Sequence, residues 1–112
     1  MRSMSTHWGR SRTTAATISR FGDLAEHVGD PADAAKAWTD AGFDDEQTAK
    51  WLGARCFDPE SARELDDLRV TPGQAAKRTR DGKRDYIDTI AFKVASGDLS
   101  PRQGAARASS SR

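Results

Sequence analysis

Apolar positions along the chain recur at helical intervals, and each apolar group follows the same short polar signal. Asp30-Pro31, Asp58-Pro59, Thr71-Pro72 and Ser100-Pro101 each place a short oxygen-bearing side chain before a proline, and Asp44 stands three residues ahead of Gln47. Such an oxygen satisfies free N–H groups in the first turn of a helix, where proline loses nothing because its missing N–H has no partner there. Phe43, Phe57, Val70 and Leu99 directly precede four of these caps, and Val28 lies two residues before Asp30. An apolar residue at a helix entrance is the pattern of a hydrophobic staple. The signals predict helices over roughly 20–28, 31–41, 45–54, 59–68, 72–80 and 83–96, with a last turn near 101–107. No alternating run of four or more residues competes for a strand.

The fold class expected is therefore all-α, a compact bundle of five to six short capped helices with flexible basic arms. Helices this short are marginal alone and persist only by packing on one another. Trp38 and Trp51, thirteen residues apart in "WTDAGFDDEQTAKWL", are expected as core anchors. Residues 1–19 and 100–112 read as basic arms, since Ser, Thr, Gly, Ala and Arg occur there without periodicity. Between them, 31–68 is an acidic three-helix part and 71–96 a basic part of helix-turn-helix character.

With 112 residues the chain has room for one modest core. The net charge of +1 hides a strong segregation: residues 1–20 carry +4, residues 21–68 carry −9 and residues 69–112 carry +6. One reading is mutual attraction of the ends and the middle. The other is a polyanion-binding end joined to an acidic module. The Arg- and Ala-rich composition suits a GC-rich genome and points to a bacterium, a phage or a mobile element. Cys56 is the only cysteine, which points to a reducing compartment. No apolar run is long enough to cross a membrane and the basic start lacks an apolar block, so a cytoplasmic protein is expected.

Three partial resemblances follow from these motifs. The stretch "GFDDEQTAKWLGARCFDPESARELDDL" within residues 31–68 resembles a ubiquitin-associated three-helix module. Gly42-Phe43 matches its loop, Glu46 and Gln47 open its second helix, and Ala62, Leu65 and Leu68 match its third. That resemblance implies a compact three-helix packing and a protein-binding patch at Gly42, Phe43, Asp44, Asp45 and Glu46. The same stretch is similar to short "W…GF-(D/S)P-xx-A" helical repeats of uncharacterised actinobacterial and mobile-element proteins, which imply no activity. Residues 71–99, from Thr71-Pro72 and Ala75-Ala76 to Gly97-Asp98-Leu99, loosely resemble a helix-turn-helix of the excisionase or MerR-like type. This resemblance implies contact with DNA from the second helix, with Arg84, Thr89 and Lys93 as candidates.

The electrostatics support the same region without any resemblance. Lys77, Arg78, Arg80, Lys83 and Arg84 lie within eight residues, offset by Asp81 and the following Asp85. Around a glycine turn they can present several cations to adjacent phosphates. The expected nucleic-acid-binding set is thus Lys77, Arg78, Arg80, Lys83, Arg84 and Lys93. His7 and His27 have no metal-ligand spacing with Cys56, no phosphate-cradling glycine loop is present, and the acid triplet 44–46 is accounted for by capping. No metal, cofactor or reaction is expected. The expectation is a small non-enzymatic DNA-associated accessory or regulatory protein. The alternatives are a protein-interaction adaptor or inhibitor using the acidic 30–68 region, whose acidic face can also mimic nucleic acid, or a self-assembling structural protein.

Overall fold

The computed structural model describes residues 12–109. Its helices are α1 (Ala15–Ser19), α2 (Ala25–Val28), α3 (Pro31–Asp40), α4 (Asp45–Gly53), α5 (Pro59–Asp67), α6 (Pro72–Ala75), α7 (Ile90–Ala95) and α8 (Pro101–Ser109). A 3₁₀ turn over Gly22–Leu24 leads into α2. Two short strands, β1 (Arg78–Thr79) and β2 (Asp88–Thr89), pair antiparallel with Arg78 opposite Thr89 and Thr79 opposite Asp88. The fold is mostly helical, as the capping signals predict, with this two-stranded ladder as its one departure among the described residues.

Every cap expected before a helix in residues 30–101 is present. Asp30, Asp44, Asp58 and Thr71 accept hydrogen bonds from the backbone N–H three residues on, and Asp44 and Thr71 complete capping boxes with Gln47 and Gln74. Ser100 does the same, receiving Gln103 N–H at 3.1 Å while its own N–H bonds the Gln103 side chain at 2.8 Å.

The helix ends obey an equally regular rule. At Gly42, Arg55, Arg69 and Gly97 the backbone turns left-handed, with φ of 97°, 70°, 70° and 86°. The next residue in each case sends its N–H back five positions: Phe43 to Trp38 O, Cys56 to Trp51 O, Val70 to Leu65 O and Asp98 to Lys93 O, at 2.8–3.1 Å. This is the Schellman closure, which satisfies carbonyls left free by the helix. It commonly seats an apolar residue back on the helix, as the Phe43 ring does against Trp38 at 5.3 Å. The repeat seen in the sequence is thus a joint used four times, in which one helix closes and the next cap follows within one or two residues.

The three helices of 31–68 form where expected, yet they do not pack mainly on one another. α3 and α4 both lie on α1, while α5 lies on α8 and α7. α6 bridges the two groups through α4, α7 and α8. One core of Trp38, Trp51, Leu52, Leu65, Ile90, Val94 and Leu99 runs from Ile18 at one end of the described chain to Ala108 at the other.

That continuity draws residues 12–19, expected as part of an arm, into the core, and lengthens the last turn expected near 101–107 into α8. Residues 12–19 hold buried Thr13, Thr17 and Ile18, and residues 101–109 form a helix with Gly104 and Ala108 buried. Thr13 is drawn in by polarity, its hydroxyl donating to Phe43 O at 2.8 Å and lying 2.7 Å from Thr48 Oγ1. Residues 1–11 and 110–112, the rest of the expected arms, lie outside the described residues.

Two predicted helices are also corrected. The one over 72–80 stops at Ala75, and the one over 83–96 begins only at Ile90. Thr89 is the true cap of α7, its hydroxyl accepting from Phe92 N–H at 3.0 Å while donating to Ala54 O at 2.7 Å. The run Tyr86-Ile87-Asp88-Thr89 is rich in aromatic and β-branched side chains, and its last two residues form β2.

Candidate nucleic-acid interface

Between the strands, residues 80–87 form a loop whose shape is imposed from beneath. Lys93 lies on α7, a helix buried all round, and its side chain is fully enclosed at 0% exposure. The Lys93 ammonium donates to Arg80 O and Arg84 O, both at 3.2 Å, and sits 4.0 Å from the centre of the Tyr86 ring. A buried ammonium must be met by acceptors or by the face of an aromatic ring, and here it has both.

Asp98, just past the end of α7, holds the other side of the loop. Its carboxylate receives Arg84 Nε at 2.8 Å, and its backbone oxygen receives Lys83 N–H at 3.2 Å. Burial alone would raise the Asp98 pKa, but the Tyr86 hydroxyl, Arg84 and Lys93 outweigh it and hold the carboxyl below its ordinary range. Gly82 turns at φ 129° directly over this clamp, where a Cβ would lie 3.2 Å from Asp98 Cβ and 3.3 Å from Lys93 Cδ. Only glycine combines that backbone with that approach.

The base of the loop has a third anchor. Arg55 donates Nε to Asp88 Oδ1 at 2.8 Å and Nη2 to Oδ2 at 2.9 Å, and its guanidinium lies 4.7 Å from the Phe92 ring centre. Asp88 is buried and also receives Thr89 N–H, so its carboxyl stays below the ordinary range despite burial. Phe92 in turn meets Phe57, Tyr86 and His27, the last stacked on Phe57 at 4.7 Å.

The expected basic residues fall into three groups. Lys93 is internal and holds the loop up, which corrects its expected role as a groove contact. Lys77 spends its ammonium on Ala108 O, at 2.9 Å, satisfying a carbonyl in the last turn of α8. Arg78, Arg80, Lys83 and Arg84 are exposed. Of these, Arg80 pairs with Asp85 at 3.1 Å and Arg84 with Asp98, whereas Arg78 and Lys83 make no ion pair among the described residues. Arg55, Asp88 and Asp98 are the residues that sequence reasoning missed. Their importance lies in contacts 33 and 14 residues away in the chain, which local signals do not carry.

Of the expected protein-binding patch, Phe43 is internal, Asp44 and Asp45 are half-buried, and Gly42 and Glu46 are exposed. Phe43 is 4% exposed and belongs to the core, a correction to its expected place in a contact loop. Asp44 is the cap of α4. Asp45 accepts Thr14 N–H at 2.7 Å, the chief cause of its lowered pKa, and Glu46 pairs with Lys50. Gly42 supplies the left-handed turn.

Cys56 is fully buried, and burial pushes its thiol up to about 12. A hollow of about 390 Å³ lies between 20–24 and 52–55, but its Arg55 is spent on Asp88 and its Arg20 lies against Phe21. Among the described residues no group of His, Cys, Asp and Glu is placed to hold a metal ion, and no helix is long and apolar enough to cross a membrane. Compared with known proteins, the chain matches no family model, no curated protein and no solved structure.

Proposed function

We propose that this is a small, non-enzymatic, DNA-associated accessory or regulatory protein whose contact surface is the clamped basic loop 77–87. The observation that carries this reading is the structural cost of a surface loop. A buried lysine, two buried aspartates and a left-handed arginine are committed to fixing the path of a segment that turns four cations outward. Departures from local preference concentrate where a surface is used. A preformed row of Arg and Lys suits the regularly spaced phosphates of a duplex, because little ordering entropy remains to be lost on binding.

Duplex binding measured across a salt series tests this. Affinity should fall steeply with salt, at a log–log slope near 0.9 per phosphate engaged. Replacing Arg78 and Lys83, the two of these four cations without an ion pair among the described residues, by glutamine should weaken binding and flatten that slope by about two phosphates' worth. Absence of binding at low salt, or no change in the double variant, would sink the reading. A protein partner for the acidic face is the second reading, supported by the exposed Asp33, Asp40, Glu60 and Glu64 on α3 and α5. Capture of a basic protein with no affinity for DNA would favour it.

A further inference from the structure

Ile87 is 47% exposed, one of two large apolar side chains left in solvent among the described residues. Its exposure follows from its neighbours. Tyr86 is drawn inward, with its ring over the Lys93 ammonium and edge-on to Phe92, and Asp88 is drawn inward onto Arg55. Between these two anchored neighbours Ile87 is left facing solvent.

The surroundings are cationic. Arg80 follows and Ile87 precedes the last pair of the ladder, Thr79 with Asp88. Arg80 and Arg84 keep 63% and 65% of their side-chain surface exposed, and Lys83 and Arg78 lie on the same loop and strand. A partner that fits must offer closely spaced anions and, between them, somewhere for an aliphatic side chain to go. A nucleic-acid duplex has both, since apolar side chains set among cations insert between base steps, unstacking them and bending the helix.

We infer that Ile87 is a wedge that enters a base step of duplex DNA while the cations around it hold the flanking phosphates. This rests on the DNA-binding reading above and adds to it a deformation of the DNA. Lys93, through Arg84 O and the Tyr86 ring, and Arg55, through the Asp88 carboxylate, act as positioning residues.

The test uses the full chain and a duplex of about 20 base pairs with a central TA step, the kind most easily kinked. The duplex carries 2-aminopurine at that step and a donor–acceptor dye pair at its ends. Saturating protein should raise the 2-aminopurine fluorescence and shorten the end-to-end distance. Ile87→Ala should lose both signals while keeping salt-dependent binding, weakened by no more than about tenfold, the scale of one aliphatic side chain. Arg78→Gln/Lys83→Gln should weaken binding but retain both signals once saturated. Binding by the wild type with neither signal, or an Ile87→Ala variant that keeps both, would overturn the wedge and leave DNA binding standing. No binding to the duplex, including the case where only anionic phosphatidylserine vesicles or an acidic protein are bound, would overturn both.

Discussion

Of the four left-handed joints, two carry glycine and two carry arginine. Arg55 holds its strained backbone while its side chain grips Asp88, but the exposed Arg69 has no such partner among the described residues. Replacing Arg69 by glycine should therefore relieve strain without removing a contact. A gain of about 0.5–1 kcal/mol is expected after allowing for glycine's freedom in the unfolded chain. Urea unfolding of Arg69→Gly would measure it, and a loss of stability would show that the arginine contributes something the joint geometry hides. At Arg55 the same change should be costly, because it would leave the buried Asp88 carboxylate unpaired.

Asp88 also fixes a pH dependence. Its pKa is lowered in the fold, as are those of Asp45 and Asp98. The unfolded chain therefore takes up these protons first as pH falls. The stability they contribute is complete above the ordinary carboxylate value of about 3.9 and is lost as pH drops through the lower folded values. Asp88→Asn should lower stability at neutral pH and make the acid loss shallower. Unfolding midpoints at a series of pH values would read both effects, and an acid limb of unchanged steepness would mean that Asp88 is not one of its sources.

At the scale of elements, α8 crosses α5 and α7 at Gly104. A Cβ there would lie 2.6 Å from Val94 Cγ2 and 3.3 Å from Ile90 Cγ2, both on stiff, branched side chains. Alanine would gain about 1 kcal/mol in helix propensity, but overpacking costs about 1–3 kcal/mol. Gly104→Ala is expected to lower the melting temperature, and a rise would show that α8 can slide. The helices from α3 to α6 begin where the sequence says, because a cap is a transaction between a side chain and the backbone three residues away. The ladder was not legible for the opposite reason. Nothing within a few residues of Thr89 reveals that Ala54 O and Arg55 await it and its neighbour, so Tyr86–Thr89 reads as more helix. Lys93 misleads in the same way. On a helix begun at 83 it looks like another surface cation, and only a short α7 enclosed by its neighbours makes it internal.

Across the whole molecule, the segregation of charge survives folding. Lys36–Asp40, Glu46–Lys50 and Arg63–Asp67 pair within the acidic centre, and Arg80–Asp85, Arg84–Asp98 and Asp81–Arg107 within the basic C-terminal part. The pair that crosses, Arg55–Asp88, joins a base of the centre to an acid of the C-terminal part, so it deepens the contrast instead of cancelling it. These pairs thus leave the charge imbalance between the two parts of the chain uncancelled. The salt series and the Arg78/Lys83 replacement weigh most on the proposed function, since they read the exposed cations of the loop directly.

The Lys93 clamp grips carbonyl oxygens, which every residue type possesses. At positions 80, 83, 85 and 87 the loop can therefore exchange side chains while its path stays the same, with Gly82 and the inward-facing Tyr86 as the fixed points. Shape and vocabulary are separable in this segment, so a descendant of this chain could acquire a different partner by rewriting four letters over an unaltered frame.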